Sequence, residues 1–346
     1  MPLLPVSHPA GRGHAASAVL GVSSAPTGGG SILGMYPLLG GAFLGWALGS
    51  NDAANVFGTA VASRMVRFAA AAILASVFVL IGAVVGGASG MKTLSGLTAG
   101  EGLDPAFVVT LSAAAVVTIM TTLRLPVSTS QGVVGAILGA GLATDPAGVR
   151  WGVLGKVIAA WVSAPVGAAV IAMVFYPLAG RLLDGLRLSL VRRSQVLKLA
   201  LVVGGSYGAY ALGANNVANV VGVFYGSAPF GDSARLWALL GGGAIALGIL
   251  TYSRRVMFTV GESLVQLDAF SALVAILSQG TTVLILAYVG VPVSTSTAIV
   301  GAVLGIGIVN GVKTINLRTL LRVFSGWVST PLLAGLAAYA LAAVFL

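Results

Sequence analysis

The chain has 346 residues, of which 58% are hydrophobic and 8% charged, with 49 glycines and a formal net charge of +10. Soluble domains carry roughly 25% charged residues, so this composition excludes a water-soluble globular fold and predicts an all-α polytopic membrane protein. There is no cysteine, which excludes disulfides and thiolate metal sites, and the two histidines, His8 and His14, precede the first apolar run.

Residues 1–33 are rich in Gly, Ser, Ala and Pro and lack the sustained apolar core of a cleaved signal, so a disordered tail is expected there. Apolar runs able to cross a hydrocarbon core of about 30 Å follow at roughly 34–50, 68–90, 105–123, 127–143 and 152–178, making residues 34–178 one membrane repeat. A polar linker, residues 179–199, carries Arg181, Arg187, Arg192, Arg193 and Lys198. Five more runs, at roughly 200–223, 236–253, 268–289, 292–309 and 320–345, make residues 200–346 a second repeat.

The two repeats share their polar interruptions. Gly49-Ser-Asn-Asp-Ala-Ala-Asn-Val-Phe-Gly58 recurs 164 residues later as Gly213-Ala-Asn-Asn-Val-Ala-Asn-Val-Val-Gly222. Pro126-Val-Ser-Thr-Ser130 returns as Pro292-Val-Ser-Thr-Ser296, and Trp161-Val-Ser-Ala-Pro165 as Trp327-Val-Ser-Thr-Pro331, at nearly the same offset. Duplicated hydrophobic units of this kind point to a secondary transporter whose halves meet around a buried solute site.

Charge bias orients the chain. With the basic linker in the cytoplasm, Arg64, Arg67, Arg124, Arg254, Arg255, Lys313, Arg318 and Arg322 also fall inside, while Arg12, Lys92, Arg150, Lys156 and Arg235 fall outside. Five crossings per repeat is an odd number, so the second repeat is expected to be inverted. The stretches 123–131 and 289–297 are too short and apolar for free loops, and backbone of that kind sits at membrane depth only when buried in protein or lining a wet cavity. Two re-entrant half-helices entering from opposite faces satisfy that requirement.

The two motifs differ in chemistry. Asn51 and Asn55 share a face if their stretch is helical, as do Asn215 and Asn219. Asp52 lies close to Gly49, which permits a helix break. Amides offer a carbonyl to a cation and an NH2 to an anion, and a carboxylate adds the charge a sodium ion needs. Ser128, Thr129, Ser130, Ser294, Thr295 and Ser296 are expected to occupy the caps or first turns of two helices, whose free N–H groups favour an oxyanion. Glu262 is a further candidate for ligation or proton relay. Structural roles compete with each of these: hydroxyls bond back to helix carbonyls, Asn pairs join helices, and Gly135-xxx-Gly139 and Gly301-xxx-Gly305 pack helices closely.

At these residues the sequence resembles the inorganic phosphate transporter family, PiT, whose signature is close to Gly-Ala-Asn-Asp-Val-Ala-Asn-Ala and which includes sulfate permeases. The resemblance covers nearly all of residues 34–346. It implies an inverted-repeat carrier of phosphate with sodium or protons as the coupling ion and no other cofactor, in a plasma or inner membrane. It further implies that Asn51, Asp52, Asn55, Asn215, Asn219 and the two hydroxyl clusters form the substrate and cation sites; Asn216 and Glu262 are added as cation candidates from the residues themselves. Two departures stand out. Asn216 replaces the family's usual Asp, and Gln131 and Thr297 stand where many relatives carry His. Phosphate keeps a proton to donate at neutral pH and sulfate does not, so a missing acceptor makes sulfate the rival substrate. An ion channel is the rival from another class, and no enzymatic motif is present. The expected partners are the anion and the lipid bilayer, with a homodimer as the alternative to a monomer, and no nucleic acid.

Overall fold

The computed structural model describes residues 35–97, 102–123, 125, 127–263, 267–311 and 317–346. The expected tail (1–33), Arg124 and Pro126 lie outside them. Among the described residues the chain forms eleven α-helices and no strand: α1 (Leu38–Ala62), α2 (Phe68–Gly86), α3 (Ala88–Ser95), α4 (Leu103–Thr122), α5 (Thr129–Thr144), α6 (Trp151–Gly185), α7 (Leu190–Val221), α8 (Ala234–Ser263), α9 (Ala269–Val289), α10 (Thr295–Asn310) and α11 (Leu317–Phe345). Seven are long and apolar enough to cross a membrane. A helix satisfies its backbone hydrogen bonds within one segment, which an apolar solvent requires. Helices α5 and α10 have 16 residues each. At 1.5 Å per residue they extend only about 24 Å, short of a hydrocarbon core.

Three boundaries differ from expectation. Helix α1 passes through Gly49 without a break and continues to Ala62, so the Asn-rich motif lies inside the helix and not at its end. Its polar side chains find partners on other helices, which removes the need to open the backbone. The run expected at 68–90 divides into α2 and the short α3. Much of the basic linker is helical: α6 reaches Gly185, α7 starts at Leu190, and the Ser189 hydroxyl accepts from the Arg192 amide at the new N-terminus. Arg193 and Asp184 pair across the turn at 3.2 Å.

The closest helix crossings occur in pairs in which the two halves trade roles. Gly49 of α1 lies against the backbone of Ile245 in α8, and its counterpart Gly213 of α7 lies against Val79 in α2. Gly248 of α8 meets Trp46 in α1, while Gly82 of α2 meets Tyr210 in α7. Gly135 and Gly139 of α5 pack on Pro331 and Gly335 of α11, and Gly301 and Gly305 of α10 pack on Pro165 and Ala169 of α6. A Cβ at any of these eight glycines would run into backbone, so the glycine pairs are packing surfaces. Pro165 and Pro331 lie inside α6 and α11. Proline leaves one helical hydrogen bond unmade, and the opposing glycines Gly301 and Gly135 let the two backbones meet closely at these positions. The outer faces of α6 and α11 expose Val162, Val166, Val170, Val328, Leu332 and Leu336, the apolar surface that lipid requires.

Candidate functional site

Four segments converge in the middle of this bundle: α1 and α7 through their Asn-rich motifs, and α5 and α10 through their N-termini. Ser128 and Ser294 are the N-caps, with Thr129-Ser130 and Thr295-Ser296 in the first turns. The Ser294 hydroxyl accepts from the Thr297 amide at 3.2 Å and is spent on its own helix. The backbone is extended at both caps, and at α10 the Ser294 hydroxyl closes the first turn, whereas the Ser128 hydroxyl makes no capping bond.

At the centre, Asn216 donates its amide to Asp52 Oδ2 at 2.9 Å, and the Thr295 hydroxyl donates to the same oxygen at 3.0 Å. Asp52 is 3% exposed and is the one charged side chain buried among the described residues. Asn216 Oδ1 accepts in turn from Asn215 at 2.6 Å and from Asn219 at 3.3 Å. Asn219 also donates to the Ser130 hydroxyl at 2.8 Å. On the other side Asn55 donates to Ser296 at 3.2 Å and to Thr295 at 3.5 Å. One hydrogen-bonded network therefore runs from Ser130 through Asn219, Asn216, Asp52 and Thr295 to Asn55 and Ser296.

Position by position, the network repeats itself. Asp52 and Asn216 are counterparts, Asn219 matches Asn55, and Ser130 matches Ser296, so each Asn–Ser bond ties one half to the other. The symmetry is incomplete. Asn215 grips the backbone of Val293 with both ends of its amide, donating to the carbonyl at 2.6 Å and accepting from the N–H at 2.9 Å, and Ser130 donates to the same carbonyl at 2.9 Å. Its counterpart Asn51 instead donates to Thr121 at 3.0 Å. Asn219 and Ser130 are buried, at 0% and 2% exposure, whereas Asn55 and Ser296 are half-buried. Asn51, Asn55 and Thr59 form a half-buried polar stripe along the second half of α1.

Several buried polar atoms around the network have no protein partner: Asp52 Oδ1, Asn219 Oδ1, Ser128 Oγ, Thr129 Oγ1 and Gln131 Oε1. An unpaired buried polar group costs roughly 1–3 kcal/mol, so such a cluster makes this the candidate place for a polar solute or water to complete the hydrogen bonding. Three of these atoms can only accept, the Asp52, Asn219 and Gln131 oxygens. Two are hydroxyls, which donate or accept.

Of the residues expected at the site, Asp52, Asn55, Ser130, Asn215, Asn216, Asn219, Thr295 and Ser296 join the network. Ser128 and Thr129 border it with open hydroxyls. Asn51 makes its hydrogen bond outside it, and Ser294 serves as a cap. Glu262 falls in the last turns of α8, and its side chain lies outside the described residues. Sequence reading missed Thr121 and the backbone of Val293, whose carbonyl accepts two hydrogen bonds and whose N–H donates a third. Val293 sits inside the repeated Pro-Val-Ser-Thr-Ser motif, but an apolar side chain gives no sign that its main chain is in use. Gln279, a lone amide in an apolar run of α9, was also passed over.

The sequence model of the phosphate transporter family matches residues 48–192 and 187–338. A "Putative phosphate permease" of Methanocaldococcus jannaschii is 28% identical over 84% of this chain and 91% of its own length. A protein of the same description from Pyrococcus abyssi is 30% identical over 87% of this chain and 95% of its own. The fold is similar to a solved structure titled "The sodium-dependent phosphate transporter", with a TM-score of 0.78 and 24% identity, over 90% of this chain and 98% of that one.

Proposed function

The chain belongs to the phosphate transporter family, and on that premise we propose that it is a secondary carrier of inorganic phosphate, coupled to sodium or protons and working by alternating access. It is a multi-pass membrane protein. The observation that carries the proposal is the cluster of open polar atoms around the Asp52–Asn216 pair, enclosed by four segments from both halves.

The donor and acceptor set suits phosphate with a cation. The N-termini of α5 and α10 bring free N–H groups and a partial positive charge toward an oxyanion, with Ser128 and Thr129 adding hydroxyl donors. Among the described residues no Lys or Arg hydrogen-bonds to the network's side chains, so the anion is held without a permanent ion pair and can leave. Asp52 Oδ1 and Asn219 Oδ1 are the oxygens for a coupling cation, or acceptors for a phosphate P–OH. Sodium is the favoured ion, since oxygen donors at a buried carboxylate suit a hard monovalent cation and the similar solved structure is titled as sodium-dependent.

The paired helix crossings support two inverted repeats, and the short α5 and α10 support re-entrant half-helices. Alternating access draws support from the unequal halves of the network. The Asn219–Ser130 side is buried and braced by Asn215 on Val293, while the Asn55–Ser296 side is half-buried and unbraced. With the basic turn between α6 and α7 in the cytoplasm of a cell, the open stripe on α1 runs toward Arg64 and the cytoplasmic face, which makes this an inward-facing arrangement. Exchanging the roles of the repeats yields the outward-facing one.

The test is uptake of labelled phosphate into proteoliposomes, with and without an inward sodium gradient and with a pH gradient as the other driving force, sulfate being the competitor. Saturable uptake driven by one of the gradients, with sulfate competing weakly, is the expected result. Uptake that prefers sulfate, or that never saturates, overturns the proposal.

A further inference from the structure

Gln279 of α9 is 0% exposed, and neither its carbonyl oxygen nor its amide nitrogen has a partner. A buried amide left wholly unpaired loses both of its hydrogen-bonding ends, a cost that packing alone does not require. We infer that Gln279, together with Asn55, forms a second station for the coupling sodium ion, about one helical turn from the Asp52 site. This rests on the sodium-coupled reading above and assigns that reading a further residue.

The packing places Gln279 beside the site. Ala275 and Val283, one turn before and after it on the same stripe of α9, share a buried cluster with Ala211 of α7 and with Ala298 and Ala302 of α10. Ala211 lies one turn before Asn215 on α7, and Ala298 one turn after Thr295 on α10, so the stripe of α9 that carries Gln279 packs about one turn from both. Helix α1 adjoins this packing: Gly208 of α7 lies between Val56 of α1 and Ile276 of α9, and Val56 adjoins Asn55. Asn55 gives its NH2 to Thr295 and Ser296, which leaves its carbonyl oxygen for another ligand.

The chemistry favours a cation over the anion. The buried neighbours that this stripe of α9 meets on α7 and α10, Ala211, Ala298 and Ala302, bring no donors to replace the hydration of phosphate. Two amide oxygens suit a monovalent cation that keeps part of its water, in the field of the nearby Asp52 carboxylate. The station is one-sided. The counterpart of Gln279 in the first half is Ala113, also 0% exposed and fully apolar. Together with the half-buried Asn51–Asn55–Thr59 stripe, this puts the extra oxygens on the open side only.

Wild type and Gln279→Ala, the residue the other half already carries, are reconstituted and compared. The expected result is a rise of about tenfold in the sodium concentration for half-maximal phosphate uptake, with the phosphate KM at saturating sodium unchanged. In detergent without phosphate, sodium should raise the Tm of the wild type more than that of the variant, which should melt no lower than wild type in sodium-free buffer. A variant with the wild-type sodium curve and the wild-type sodium-induced gain in Tm overturns the inference, as does a changed phosphate KM with an unchanged sodium curve. Wild-type uptake indifferent to sodium overturns the sodium-coupled reading itself, and the failure is then visible before any variant is made.

Discussion

Asn216 donates to Asp52 at 2.9 Å, and the two residues hold the same position in the two halves of the chain. The centre of the network is therefore a pair of counterparts that have become chemically unlike, one a carboxylate and one an amide. The amide satisfies one carboxylate oxygen and leaves the other open. Replacing Asp52 with Asn preserves shape and deletes the charge. Cation-coupled uptake by Asp52→Asn should fall by about 10- to 100-fold, the equivalent of losing hydrogen bonds to a charged group at roughly 1.5–3 kcal/mol. Its Tm should stay close to wild type. Unchanged coupling would remove Asp52 from the site.

Restoring the second carboxylate is the complementary change. Asn216→Asp adds an acceptor where phosphate can donate its proton and sulfate cannot. An unmatched acceptor penalises sulfate by about 1–3 kcal/mol, so the phosphate-to-sulfate competition ratio should rise about tenfold. The variant also sets two carboxylates against each other, and its uptake should depend more steeply on the coupling cation. Competition by sulfate in the uptake assay reads the first effect. A ratio that does not move means position 216 takes no part in choosing the anion.

Helix packing offers a test independent of transport. A Cβ at Gly301 would overlap the backbone of Pro165, and one at Gly135 would overlap that of Pro331. Gly301→Ala and Gly135→Ala should each destabilise the protein by about 1–3 kcal/mol, as overpacking does. The loss should appear as a lower Tm in detergent. A control such as Gly152→Ala, where a Cβ meets open space, should leave Tm unchanged. Equal behaviour of all three would mean the crossings are looser than the structure gives.

Much of this arrangement was legible in the sequence because its polar residues are so sparse. In an apolar chain each Asn, Asp or Ser-Thr-Ser cluster stands out, and its duplication ties it to one shared centre. The N-caps at Ser128 and Ser294 followed from hydroxyls after a proline, and the packing of Gly135 and Gly301 from their spacing. What stayed hidden depends on long-range contact. Nothing local says that α1 runs unbroken through Gly49, because the partners that make this possible are α8 and α10. The grip of Asn215 on the Val293 main chain has no side-chain signature, and the difference between it and Asn51 is a property of one conformation, not of either motif. Gln279 was readable as a lone polar residue but lacked a repeated counterpart to draw attention to it.

The unequal accessibility of the two Asn–Ser bonds leads to the most direct test of motion. The chain has no cysteine, so single cysteines can be introduced without removing any native one. Ser296→Cys, on the half-buried side, should react with a hydrophilic thiol reagent supplied from the cytoplasmic face, while Ser130→Cys, at 2% exposure, should be protected. If the halves exchange roles during transport, conditions that favour the outward-facing state should reverse the order: Ser130→Cys becomes reactive from the outer face and Ser296→Cys becomes protected. The exchange also predicts which contacts form, with Asn51 leaving Thr121 to grip the Val127 backbone as Asn215 grips Val293. Asn51→Ala should then slow the return of the outward-facing state and leave the protection of Ser130→Cys in the inward-facing state intact. If Ser130→Cys and Ser296→Cys always react from separate faces, whatever ions or phosphate are present, the two hydroxyls never serve one alternating site and the carrier mechanism fails.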